Sequence, residues 1–374
     1  MPADLSALHA LVVGCAFALA FVFGFVGHST NFCTMGAIAD IVNFGAWDRM
    51  RMWVLAIAVA MIGTAALVGA GLIDTTKTIY ATPRLAWLSS LVGGALFGFG
   101  MVLGSGCGSK TLIRIGHGNL KSLVVALAIA ISAAMTLRGL FAVWRVNTVD
   151  TVAIQLATNQ DLGSVVAHAG GFVRPHAQAW MGALLGLALV AWVFAPRAFR
   201  ESAIKRDIVL GGLVVGAVIV AAWWVSGSLG YIAEDPNTLE ERFIATNSGR
   251  MESFSFVAPF AYALELLMLW SDASRIVSFG IATVAGVIAG SLAHALLSKR
   301  FRWEGFRDAE DTANHLTGGV LMGAGGVTAL GCTIGQGISG VSTLALGSFL
   351  ALAGIVAGAI AALRYQAWRI ERLA

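Results

Sequence analysis

The chain has 374 residues, 58% hydrophobic and only 12% charged, with a formal net charge of +4. Soluble domains carry about 25% charged residues, so this composition excludes a water-soluble globular protein and describes a polytopic membrane protein. The positive excess is small and unevenly placed, which reads as membrane topology and not as affinity for nucleic acid.

In chain order, apolar stretches recur near 8–27, 51–72, 85–104, 120–144, 178–195, 206–227, 275–297, 315–330 and 341–362. Each approximates the ~20 residues a helix needs to cross hydrocarbon, so they predict about nine transmembrane helices in an all-α fold embedded in the lipid bilayer. The N-terminus lacks the basic region of a cleaved signal, and the first stretch is therefore read as a span. Four apolar pieces, at 33–46, 107–117, 254–270 and 332–340, are too short to cross and are predicted as short re-entrant helices. The linker 196–207 carries Arg197, Arg200, Lys205 and Arg206; the linker 298–314 carries Lys299, Arg300, Arg302 and Arg307; the tail carries Arg364, Arg369 and Arg372. The positive-inside rule puts these in the cytoplasm, with the N-terminus outside and the C-terminus inside. The acidic segment 228–253 and the loop 146–177, poor in Lys and Arg, then lie outside.

The chain repeats itself. "GFGMVLGSGC" (98–107) aligns with "GAGGVTALGC" (323–332), sharing Gly at the first, third and ninth positions and Cys at the tenth. "GFVGHSTNFCTMG" (24–36) also has Gly nine residues before its Cys and shares C-T-x-G with "CTIG" (332–335). A fourth copy has Val257 where Cys33 stands. Five crossings precede the second half, so the copy is turned over: an inverted-topology repeat with halves 1–200 and 201–374.

The four cysteines stand far apart without a CxxC, so neither a metal site, a cofactor nor a disulfide framework is indicated. Gly-rich backbone at membrane depth survives only where protein buries it or a polar cavity wets it, which marks Cys33, Cys107 and Cys332 as lining a pathway. A free Cys is otherwise a small buried hydrophobe, and Cys15, with no Gly motif around it, is read that way. Neutral thiols offer weak S–H donors and soft sulfur, which can hold an anion without trapping it. Lys110 lies close to Cys107, whereas Arg114 and Lys121 read as headgroup anchors. Asn31, Ser109, Thr333 and Gln336 are candidate hydrogen-bonding lining residues, with helix capping as the alternative. His28 and His117 read as interfacial.

The stretches "TNFCTMGAIADIVNFG", "GSGCGSKTLIRIGHGNLKSL", "RFRWEGFRD" and "GCTIGQGISGVSTLALGS" together resemble the YeeE/YedE family of sulfur-transport membrane proteins. The resemblance spans essentially the whole chain. It implies an hourglass-shaped protein of full and partial helices that takes up thiosulfate across the inner membrane. It further implies that Cys33, Cys107 and Cys332 relay the ion by S–H contacts, with Cys107 at the centre, and that a small cytoplasmic sulfur-carrier protein is the partner. Two other classes compete. A membrane-embedded thiol redox or persulfide-transfer enzyme calls for a resolving Cys nearby, and none is present in sequence. A soft-metal transporter calls for Met or Cys clusters, which are missing, and the basic flank of Cys107 disfavours a cation.

Overall fold

The computed structural model describes residues 3–195, 205–235, 238–272 and 274–373. The expected boundary at 200 and 201, with Arg197 and Arg200, lies outside the described residues. Six helices open the chain in the order long, short, long, long, short, long: α1 (Ala3–Ser29), α2 (Thr34–Phe44), α3 (Asp48–Gly69), α4 (Trp87–Leu103), α5 (Gly108–Gly116) and α6 (Leu120–Arg138). Next come α7 (Leu140–Asn147), α8 (Leu162–Gly170) and the long α9 (Arg174–Phe194). The opening order then returns as α10 (Lys205–Trp224), α11 (Val257–Met268), α12 (Phe279–Leu297), α13 (Ala309–Thr328), a π-helical turn (Gly335–Gly340) and α14 (Leu346–Leu373).

The protein is an all-α polytopic membrane protein. The nine long helices among the described residues fall on the nine apolar stretches, and eight of the helical segments are long and apolar enough to cross a bilayer. The ninth, α13, opens with Glu310 and Asp311 in its first turn, which lowers its hydropathy, and it packs between α4 and α6. Three ends differ from expectation. The stretch 120–144 breaks at Gly139 into α6 and the short α7, because Gly139 is extended. The stretch from 341 continues the preceding helical turn through Ser342, breaks where Leu344 sits in the left-handed region at φ 61°, and starts its long helix only at Leu346. The piece at 332–340 forms π-helical turns and not a short α-helix.

Helices of the two blocks pack on each other reciprocally: α1 against α12 and α3 against α10, then α4 against α14 and α6 against α13. Glycine makes these approaches close. A Cβ at Gly290 of α12 would fall on the Phe21 carbonyl of α1, and one at Gly98 of α4 on the Ile355 carbonyl of α14. Without a hydrophobic force between helices in lipid, such backbone proximity supplies the dispersion contacts that hold the bundle. At the end of the bundle opposite the 298–314 linker, two two-stranded ladders tie the loops: β1 (Arg84–Leu85) with β2 (Ile154–Gln155), and β3 (Tyr231–Ile232) with β4 (Arg242–Phe243).

Gly290→Val should therefore destabilise the detergent-solubilised protein by at least about 3 kcal/mol, the upper end of overpacking costs. Gly14→Ala, where an added Cβ meets nothing within 4 Å, should leave the thermal midpoint unchanged or raise it slightly by improving helix propensity. Equal midpoints for the two variants would refute backbone contact as the binding force.

Candidate functional site

Each of three thiols sits at a break between a long helix and a short segment. Cys33 caps α2, its sulfur accepting from the Gly36 N–H at 3.3 Å. Cys332 does the same before the π-helical turn, accepting from the Gly335 N–H at 3.4 Å. Cys107 caps α5 with its backbone only, and its sulfur lies 3.3 Å from the Ser109 hydroxyl. Two residues before each Cys the chain enters the left-handed region at a non-glycine residue: Asn31 (φ 53°), Ser105 (φ 58°) and Leu330 (φ 59°). This conformation is uncommon outside glycine, and its threefold recurrence marks one device used three times. The three thiols are buried, with exposures of 8%, 1% and 0% in chain order. Cys107 lies within electrostatic range of both Cys33 and Cys332, and Lys110 within range of Cys33 and Cys107.

Unused hydrogen-bonding groups gather at the same breaks. Thr34 and Thr333, each directly after its Cys, are fully buried and their hydroxyls have no partner. Gln336 donates to the Ala329 carbonyl, but its Oε1 is unpartnered, as are Trp53 Nε1 and Ser348 Oγ. Gly337 abuts the Trp53 ring, and Gly340 abuts Ser348 and Gln336 Oε1, so these orphans converge on the π-helical turn. Buried polar atoms without partners cost about 1–3 kcal/mol each, and a native structure keeps such atoms where a ligand or water satisfies them.

A cavity of about 870 Å³ opens at the N-terminal ends of α6 and α13. Among the described residues seven cations line it, Lys110, Arg114, Lys121, Lys299, Arg300, Arg302 and Arg307, against two acids, Glu304 and Asp311. Lys121 pairs with Asp311 at 2.8 Å and Arg302 with Glu304 at 2.6 Å, which leaves a large positive surplus. Lys110 Nζ donates to Asn31 Oδ1 at 3.3 Å, and Lys110 is the cavity residue that lies within electrostatic range of both Cys33 and Cys107. The segment "RFRWEGFRD" forms one wall. Its backbone pairs with the α5–α6 turn, Leu120 N–H donating to the Glu304 carbonyl at 2.9 Å, and Asn119 donates to Glu304 Oε2 at 2.7 Å. Gly118, at φ 100°, is needed there because a Cβ would strike the Arg302 carbonyl at 2.5 Å. Burial pushes the Glu304 carboxyl up, but Asn119 and Arg302 outweigh it and hold it below the ordinary range. His28 and His117 also line the cavity, and His28 Nδ1 lies 2.5 Å from His294 Nδ1.

A second, more apolar cavity of about 210 Å³ lies at the opposite ends of α6 and α13, reached by Leu137 and Val327. Its floor is Leu330 and Gly331, directly before Cys332. The Tyr80 hydroxyl in its wall donates to the Gly335 carbonyl at 2.8 Å and so pins the turn that carries Cys332.

Of the residues singled out in the sequence, Cys33, Cys107 and Cys332 are brought to one region, Lys110 and Asn31 line the large cavity, and Ser109 touches Cys107. Thr333 and Gln336 line neither cavity and are buried around Cys332. Cys15 stays apart, half-buried within α1. Sequence reasoning missed Thr34, although its C-T pair matches that of Thr333, and missed His294 and Tyr80, which carry no local motif.

A family model described as sulphur transport matches residues 29–361. The thiosulfate transporter TsuA of Escherichia coli (strain K12) is 25% identical over 320 residues, covering 84% of this chain and 83% of its own length. The thiosulfate transporter TsuA of Spirochaeta thermophila is 28% identical over 338 residues, covering 88% of this chain and 92% of its own. The matched span runs through all three thiol breaks and both cavities, and the chain belongs to the sulphur-transport family of membrane proteins, which are transporters and not enzymes.

Proposed function

We propose that the protein takes up thiosulfate across the bacterial inner membrane through a constriction at Cys33, Cys107 and Cys332. The observation that carries this reading is the placement of three buried thiols, with orphaned hydroxyls beside two of them, between a basic cavity and a smaller cavity at the other end of the same helices. Thiosulfate is a soft dianion, and neutral S–H and O–H donors can hold it weakly enough for release. Cys107 is the central station: its sulfur receives no backbone N–H and contacts only the Ser109 hydroxyl, a partner that can rotate away to leave the thiol to the ion. Cys33 and Cys332 flank it, Lys110 and Asn31 receive the ion at the cavity end, Ser109 and Thr333 donate to its oxygens, and Gln336 donates through the second hydrogen of the amide that already bonds Ala329.

Orientation follows from charge. The basic cavity, Lys205, Arg206 and the tail arginines are cytoplasmic, and the small cavity faces outward, with the N-terminus outside and the C-terminus inside. The two blocks form an inverted repeat, supported by the recurrent element order and the reciprocal packing of α1–α12 with α3–α10. At the cytoplasmic mouth a small sulfur-carrier protein accepts the ion.

In proteoliposomes the wild type should accumulate radiolabelled thiosulfate, with sulfate, sulfite and selenite as competitors defining selectivity. Cys107→Ala should fall to the level of empty vesicles while Cys15→Ala transports normally, both variants being equally folded. Cys107→Ser should retain part of the activity, and wild-type uptake should persist in dithiothreitol. Dependence on an oxidant, with a Cys107 disulfide or persulfide in the mass spectrum, would replace transport by thiol redox chemistry.

The basic cavity generates a separate expectation. A small anionic methanethiosulfonate added from the cavity side should modify Cys33 before Cys107, and Lys110→Glu should slow that reaction by about tenfold or more through loss of electrostatic focusing. A rate insensitive to Lys110 and to ionic strength would remove the cavity from the anion's path.

A further inference from the structure

The smaller cavity contains one group that contradicts a dianion's path. Among its described lining residues Glu252 is the sole carboxyl and Arg145 the sole cation, and Arg145 is already paired with Asp150 at 3.2 Å. Glu252 has no cation within ion-pair distance among the described residues. Its carboxyl accepts from the Ser248 N–H at 2.9 Å and the Ser248 hydroxyl at 2.6 Å, while its own backbone is held by Ser226. Tyr80, which pins the Cys332 turn, lies within electrostatic range of both Glu252 and Cys332. An ionised carboxylate here would therefore face the entrance to the thiols across a mostly apolar space, where like charges repel far more strongly than in water.

Resting on the thiosulfate reading above, we infer that Glu252 is the gate residue of this entrance: the vestibule admits a dianion while Glu252 carries a proton and excludes it when Glu252 is ionised. The surroundings favour the neutral form. Burial pushes the Glu252 carboxyl above the ordinary glutamate range, against the Ser248 and Asn247 hydrogen bonds that pull it down. The other titratable or charged groups near it are Tyr80 from the loop after α3, Arg145 from α7 and Tyr262 from α11, with Arg138 and Glu265 beyond Tyr262. Arg250, two residues away, is directed to the Thr78 carbonyl at 3.3 Å. None of them supplies a counter-charge to Glu252.

The sign of the pH effect follows. The competent form is the protonated one, so uptake is full below the Glu252 pKa and declines as pH rises through it, by about tenfold per pH unit once well above it. Ser248 stabilises the ionised form, so Ser248→Ala should move the midpoint of the decline to higher pH. Glu252→Gln, permanently neutral, should transport at all pH values with a flat profile, and Glu252→Asp should keep a decline.

The test is initial uptake of radiolabelled thiosulfate into proteoliposomes buffered to the same pH on both sides, stepped across about pH 5–8, for the wild type and the three variants. A pH-dependent wild type, a flat Glu252→Gln and an upward-shifted Ser248→Ala establish the gate. A Glu252→Gln protein that is folded but inactive, or that keeps the wild-type decline, overturns it and leaves transport standing. Should Glu252→Gln fail to fold, an unshifted Ser248→Ala midpoint overturns it equally. A wild type that takes up no thiosulfate at any pH removes the transport reading itself, and the gate with it.

Discussion

Hydrocarbon offers no partner to a backbone N–H, and every break in a helix at membrane depth exposes several of them. The site depends on how this chain meets that constraint. At Cys33 and Cys332 the thiol itself accepts a freed N–H, so the same atom that the proposed function makes a soft anion contact also closes the break. At Cys107 the sulfur is released from that duty and turns to Ser109. The structural and the functional demands on the thiols are thus divided unequally among three otherwise similar turns.

The breaks can exist only because the long helices around them approach at backbone contact. Gly93, Gly98, Gly286 and Gly290 each meet a backbone atom of a neighbouring helix where a Cβ would stand. This brings α1 to α12, and α4 to α13 and α14, closely enough to cover the irregular segments with protein instead of lipid. The loop 299–307, strapped to the α5–α6 turn, extends the cover at the basic end and assembles into one wall the cations that the linear sequence scatters.

Much of this was legible in the residues. The spans, the short segments and the three thiol turns follow from apolar run length and from Gly spacing around Cys, because both are local properties of the chain. The clearest failures are also local in origin: the break at Gly139 and the delayed start of α14 at Leu346 depend on backbone conformations that apolar composition does not encode. The long-range contacts around the site were not legible. Tyr80 reaches Gly335 across 255 residues and His294 reaches His28 across 266, and no motif announces either. Thr333 and Gln336 were expected on a cavity wall and are buried beside Cys332 instead, Gln336 because the π-helical turn carries its amide oxygen inward toward Gly340 and Ser348.

The glycine contacts have a mechanical corollary. Two helices that meet through side chains can slide, because rotamers absorb the displacement; two that meet carbonyl to Cα have nothing soft between them. The pairs α1–α12 and α4–α14 are therefore fixed in register, and rocking one block of this bundle against the other would have to unseat them. What can move cheaply is the contents of the cavities: the long arms of Lys110 and Arg114, the Cys107 rotor and the loops that wall each mouth. An ion crossing this protein passes through a stiff frame whose adjustable parts weigh only a few atoms each.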